Sequence, residues 1–314
     1  MDQKPITRRE SIKKIIKISG GLTLGSVAAG SGLIQSPVWA KPVRERFIVE
    51  GIGQTDGYDV KTLVRQVFDA AGGIKTFISK GDIVIIKPNL SWAYLPHFAA
   101  TTNPDVLETV IELCQEAGAK KVRFADNTIQ NAGRCFATSG ANEIASKTGA
   151  DLITPRDSLM RDMNLKGQRL NTWLVFKPFI EADKIINLPI AKTHNHSGLS
   201  LGMKNWIGAV GGQRGALHQD IHQVIVDLAQ FFKPTLTLVD AIRIMVNNGP
   251  SGGRQSDVAI KNRLILSNDQ VAADALATTY FDIQTERVAF LQLAEKAGIG
   301  TADLTRLESK RVLL

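Results

Sequence analysis

Beyond about residue 45 the chain alternates between two kinds of apolar pattern. Ile83-Val84-Ile85-Ile86 is a continuous apolar run, and the mixed but largely apolar segments 121–125, 151–153, 184–188, 235–239 and 263–266 read as further strands. Continuous runs of this length predict strands buried on both faces, as in a parallel sheet. Between them the period changes. Val60, Leu63, Val64, Val67 and Phe68 form one helical stripe, and Ile221, Val224, Ile225, Leu228 and Phe231-Phe232 form another; residues 105–116 and 142–148 also read as helices. Strand–helix alternation at this spacing predicts an α/β chain: two-lobed, with mostly parallel sheets flanked by helices. Residues 41–314 read as one unit, with lobes at roughly 41–180 and 181–314 and no Pro/Ser-rich linker between them. Residues 155–180 look irregular apart from an edge strand at 173–176, and the last thirty residues read as a helix and a short tail.

Several predicted strands end in polar groups: Lys87 and Asn89, Asp126 and Asn127, Lys192 and His194, Asp240, and Asp269. In a parallel sheet such ends lie along one rim, where α/β folds bind ligands. Asn127 and Asp269 resemble helix caps. The turn at residues 51–57 has its third glycine one position too late for a dinucleotide fingerprint.

The densest chemistry lies in residues 187–222, which hold four of the five histidines (His194, His196, His218, His222), Lys192, Lys204 and a single acid, Asp220. His218 and His222 are four apart near a helix start, the spacing of two metal ligands on one face, with Asp220 pointing away from it. Lysines among apolar neighbours act as anion clamps or, with a lowered pKa, as bases and covalent anchors. Lys87 and Lys192 read as clamps, and Lys204 reads as either clamp or anchor.

Charge and cysteines narrow the field. Of the formal +8, residues 1–40 hold six basic side chains and two acidic ones, which leaves 32 basic and 28 acidic residues beyond them. A net +4 without a Lys/Arg run argues against nucleic acid as the main partner. Cys114 and Cys135 are 21 positions apart and cannot build a four-cysteine iron–sulfur cluster within one chain. At the start, Arg8-Arg9, a glycine-diluted apolar run and Val38-Trp39-Ala40 read as a twin-arginine signal cleaved after Ala40. That predicts the twin-arginine translocase as a partner and a periplasmic destination.

Lys87-Pro88-Asn89-Leu90, the 117–122 segment running into Asp126, Leu188-Pro189 with Lys192-Thr193-His194, and the run from Leu199 to Asn205 with Gly208 occur together. With Val239-Asp240-Ala241, Gly249-Pro250 and Ser267-Asn268-Asp269, they make the chain resemble the family of domain of unknown function 362 over residues 45–290. Some members of that family carry ferredoxin-type cysteine motifs, which this sequence lacks. A weaker likeness, in kind only, is to the nickel-pincer lactate racemase family. There a lysine after a Gly-rich segment anchors the cofactor and a later histidine ligates nickel, as Lys204 and His218 would here. The Asp-Asp-Thr-Arg-Pro phosphate motif of those enzymes is missing.

The sequence thus supports two expectations. In one, an exported enzyme of racemase or isomerase type acts on a small anionic molecule. Lys204, His194 and His218 carry the chemistry, and Lys87, Asn89, Asp126, Lys192, Asn205 and Asp240 bind the ligand. A divalent metal or organometallic cofactor is held with His218 and His222. In the other, a non-catalytic periplasmic protein binds or delivers a cofactor or metal to a redox partner.

Overall fold

A computed structural model describes residues 45–54 and 57–314; the leader predicted over residues 1–40 lies outside them. Twelve strands are present among the described residues: β1 (Phe47–Ile52), β2 (Ile83–Pro88), β3 (Lys121–Ala125), β4 (Asp151–Ile153), β5 (Met160–Asn164), β6 (Thr172–Phe176), β7 (Lys184–Leu188), β8 (Ile190–His194), β9 (Gly198–Ser200), β10 (Leu236–Met245), β11 (Val258–Ser267) and β12 (Glu308–Leu313). The helices are α1 (Val60–Ala70), α2 (Pro104–Glu116), α3 (Ala132–Thr138), α4 (Ala141–Thr148), α5 (Lys177–Glu181), the single turn α6 (Gly202–Asn205), α7 (Ile221–Phe232), α8 (Gln270–Thr278) and α9 (Ala289–Lys296).

Ten strands form one sheet in the order β12-β1-β11-β10-β7-β2-β3-β4, with β8 on β10 and β9 on β8. Most pairs are parallel; β11 runs antiparallel to both β1 and β10, and β9 antiparallel to β8. The α/β class with a large, mostly parallel sheet therefore holds. The halves on either side of residue 180 share that sheet, since β7 lies between β2 and β10, and β1 pairs with β11 and β12. The expected irregular stretch contains the antiparallel hairpin β5–β6, and the expected C-terminal tail is the edge strand β12. Neither pairing has a local signal, because each partner is chosen by register rather than by propensity.

The continuous apolar runs are explained by burial on both faces. Along β2, Ile85 packs with Ile185, Trp206 and α7 on one side, while Val84 and Ile86 pack with Val106, Val110 and α1 on the other. Helix starts are capped locally: Asp59 accepts from the Thr62 N–H, Asn103 precedes Pro104, and Asp269 accepts from the N–H groups of Val271 and Ala272. Asp269 is the cap the sequence suggested. Asn127 is not; its amide Nδ2 donates to the Val210 carbonyl at 2.8 Å and ties β3 to the segment after α6. No helix among the described residues is long and apolar enough to cross a membrane.

One detail positions the site. Strands β7 and β8 are successive pieces of one line along β10, separated by Pro189. Proline supplies no ladder N–H, yet the register against β10 runs unbroken across it and shifts between Ile190 and Lys192. Lys192 and His194 are thereby carried past the carboxyl end of β7, over the ends of β2 and β3.

Candidate functional site

A cavity of about 290 Å³ opens at this rim, lined in part by Asn89, Lys192, His194, Lys204, Arg214 and His218. None of its lining residues is a carboxylate.

Its floor is a buried network of hydrogen bonds around one ion pair. Lys87 is fully buried; Nζ lies 2.9 Å from Asp126 Oδ1 and donates to the Pro88 carbonyl and to Asn205 Oδ1. Burial pushes the Lys87 pKa down and the Asp126 charge pulls it back up. The other oxygen of Asp126 accepts from the Leu90 N–H at 2.6 Å and from Ser91 Oγ at 3.0 Å. Asn205 donates Nδ2 to the Lys87 carbonyl and to Asn187 Oδ1, both at 2.9 Å. Asn89 donates to Asn205 Oδ1, and Lys192 Nζ donates to Asn89 Oδ1 and to the Ala100 carbonyl. Gly208 packs on this network so closely that a Cβ there would collide with Asp126 Oδ1 and Lys87 Nζ. Gly249 is equally constrained, by the carbonyl of Thr193 in β8.

The wall differs. Turn α6 is held by Asp274 of α8, whose carboxylate accepts from the N–H of Gly202 at 2.7 Å and of Met203 at 2.9 Å. That clamp aims Lys204 into the cavity. The Lys204 side chain is almost wholly buried, its amine reaches the cavity, and among the described residues nothing accepts a hydrogen bond from it. Burial lowers its pKa to about 7. Lys192 is also lowered to about 7, first by burial and then by the charge of Lys204. Burial, with the nearby lysines and histidines, pushes His194 down to about 2 and lowers His218.

The two imidazoles are fixed in opposite tautomers. His194 Nδ1 faces the His196 backbone N–H at 3.1 Å and so accepts, which leaves the ring proton on Nε2. His218 Nδ1 faces the Arg214 carbonyl at 3.3 Å and so donates, which leaves Nε2 with its lone pair. Their rings stack with centroids 6.0 Å apart. Arg214 spends Nη1 and Nη2 donors on the carbonyls of Asn127 and Thr128, leaving the rest of its five N–H groups for a ligand.

Of the residues singled out in the sequence, Asn89, Lys192, His194, Lys204, Asn205 and His218 line the cavity, with Lys87 and Asp126 directly beneath. Two expectations need correction. Asp240 is fully buried away from the cavity; it accepts from the N–H groups of Asn103 and Ile242, and burial raises its pKa to about 6. It secures the start of α2. His222 does not share a helix face with His218, because α7 begins only at Ile221 while His218 ends the preceding 3-10 turn. His222 stacks instead on Phe290, with its ring centroid 6.4 Å away. Among the described residues no three His, Cys, Asp or Glu side chains are grouped to hold a metal ion. Sequence reasoning passed over Arg214, Ser91, Asn187 and Asp274. Only Arg214 carried a signal, as the one guanidinium in the Gly-rich 211–215 segment.

The chain is similar to the thylakoid-associated protein sll1697 of Synechocystis sp., with 25% identity over 265 residues, 80% of this chain and 81% of that protein. Among solved structures it is similar to the lactate racemase apoprotein from Thermoanaerobacterium thermosaccharolyticum, at 14% identity and a TM-score of 0.45. That match covers 74% of this chain and only 56% of that one. A family model described as a domain of unknown function, DUF362, matches residues 84–279, which include the cavity floor and wall, and the chain belongs to that family.

Proposed function

We propose that the chain is an enzyme, exported by its twin-arginine leader, that binds a small carboxylate-bearing molecule in this cavity and moves a proton at a carbon near the carboxylate. The observation that carries the reading is a carboxylate-free cavity with Arg214, Lys192 and Lys204 in its lining beside two histidines of opposite tautomer. Arg214 and Lys192 take the anion, since a guanidinium and an ammonium in a site shielded from water bind oxyanions more strongly than on the surface. His218 Nε2 accepts a proton, and His194, held neutral by burial, offers its Nε2–H as a hydrogen bond to the oxygen where charge develops. An anion beside Lys192 favours its charged form, so binding takes up a proton and weakens as pH rises above about 7.

Calorimetry with inorganic phosphate and a panel of 2-hydroxy, 2-oxo and dicarboxylic acids tests the binding, and loss of C–H signals in D₂O by NMR tests the proton transfer. The expected result is binding that is tighter at pH 6 than at pH 9, with His218→Ala retaining it but losing exchange about 10²-fold or more. Absence of binding by every acid and by phosphate overturns the reading. Export is checked by fractionating cells that produce the full chain, with Arg8→Lys/Arg9→Lys expected to hold it in the cytoplasm.

A further inference from the structure

Three lysines are buried at this rim, and they differ in what their amines already do. Lys87 Nζ has Asp126, the Pro88 carbonyl and Asn205 around it, and Lys192 Nζ donates to Asn89 and to the Ala100 carbonyl. Lys204 Nζ has no partner among the described residues, although it reaches a polar cavity. An amine that the protein leaves without a partner and that opens onto a cavity is positioned to meet whatever binds there. A clamp also gains most when fully protonated, which burial opposes at Lys204. An amine whose lone pair is free at neutral pH is instead a nucleophile.

We infer that Lys204 forms an imine with a small 2-oxo acid, whose carboxylate is held by Arg214 and Lys192. The inference rests on the anion-binding reading given above and narrows it to substrates bearing a carbonyl next to the carboxylate. The lone pair of Lys204 attacks the carbonyl carbon, a C–N bond forms, and a proton passes from nitrogen to the carbonyl oxygen. The C–O bond then breaks and the hydroxyl leaves as water, taking a proton from solvent through the cavity mouth while the neutral His194 donates a hydrogen bond from Nε2–H to the departing oxygen. No electron is gained or lost. The resulting protonated imine withdraws electrons from the carbon beyond it, and His218 Nε2 removes the acidified proton there. The neutral wall histidines and the absence of a lining carboxylate keep the amine from being held as a permanent ion pair. A cavity of about 290 Å³ suits a ligand of a few carbon atoms.

The test uses the full chain with pyruvate or glyoxylate as probe and lactate as the comparator without a carbonyl. Binding is followed by calorimetry. A parallel sample is reduced with borohydride, digested and mapped by mass spectrometry. The expected result is binding of the probes and of lactate, with a reduced adduct only on the probe-treated protein and only at Lys204. Lys204→Arg, which keeps the positive charge, should still bind lactate within about tenfold and lose the adduct completely. Binding without an adduct, or an adduct on Lys192 or Lys87, overturns the imine and leaves the anion cavity standing. Failure of the probes and of lactate to bind overturns both.

Discussion

The floor of the cavity, built at the ends of β2 and β3, and its wall, built on β8, α6 and the 3-10 turn that follows Gln213, hold similar residues in opposite states. On the floor every charged or amide group named above is matched: Lys87 with Asp126, Asn205 with Asn187 and Lys87, Lys192 with Asn89. On the wall the functional atoms are left open, namely Lys204 Nζ, Nε2 of both histidines and part of the Arg214 guanidinium. The difference separates support from chemistry. A matched buried network rigidifies the site, and unmatched groups beside it face the ligand.

Asp126→Ala challenges the comparison most severely. It strips a buried ammonium of its counter-ion and leaves the Leu90 N–H and Ser91 Oγ without an acceptor. Urea unfolding should report a loss of about 3–5 kcal/mol. Lys204→Met should be neutral or stabilising by about 1 kcal/mol, because it removes a buried unpaired amine. Equal losses in the two variants would erase the distinction between floor and wall.

The second test is pH. Lys192 and Lys204 titrate at about 7 in the folded chain against an ordinary value of 10.5. Below about pH 7 both states hold the protons, and the folded state bears the full cost of the buried charges. Between about 7 and 10.5 the unfolded chain holds more protons, so stability rises with pH. Asp240 and Asp274 act oppositely. Their carboxyls are raised by burial to about 6 and about 7, so the stability they lend is full below about pH 4 and is lost as pH climbs toward 7. Urea midpoints from these four groups should pass through a minimum near neutrality. Lys204→Met should flatten the alkaline rise and leave the acidic limb unchanged.

The smallest effect is expected at His222→Phe. Nδ1 of His222 is buried without a partner and the ring stacks on Phe290, so an aromatic without nitrogens should change stability by no more than about 1 kcal/mol, in the stabilising direction. Anion binding measured by calorimetry should not move. A large loss of binding would return His222 to the site.

The parallel core of the sheet was legible because strands buried on both faces write themselves as unbroken apolar runs, as at 83–86. The antiparallel edge formed by β1, β11 and β12 was not, since Phe47–Ile52 must find partners more than 200 positions away. The floor was legible because a charged residue directly after a buried strand, such as Lys87 or Asp126, has few places to go except the rim. The same logic misled at Asp240, where the rim position is used to cap a loop. His218 and His222 misled because a 3-10 turn interrupts the helix that their spacing implied. Asp274 was invisible because its task, holding the N–H groups of α6, is assigned by a contact 72 positions away.

The order of groups on the floor has a consequence for where protons can travel. Lys87 and Lys192 are joined through two carboxamides, Asn205 and then Asn89, and by no hydroxyl or imidazole. Carboxamides orient hydrogen bonds but neither gain nor lose protons near neutral pH. The link therefore acts as an insulator: it transmits position from the Lys87–Asp126 pair to the cavity while blocking proton leakage between them. Protons taken up or released on the wall come and go at the cavity mouth, where His194 and His218 lie.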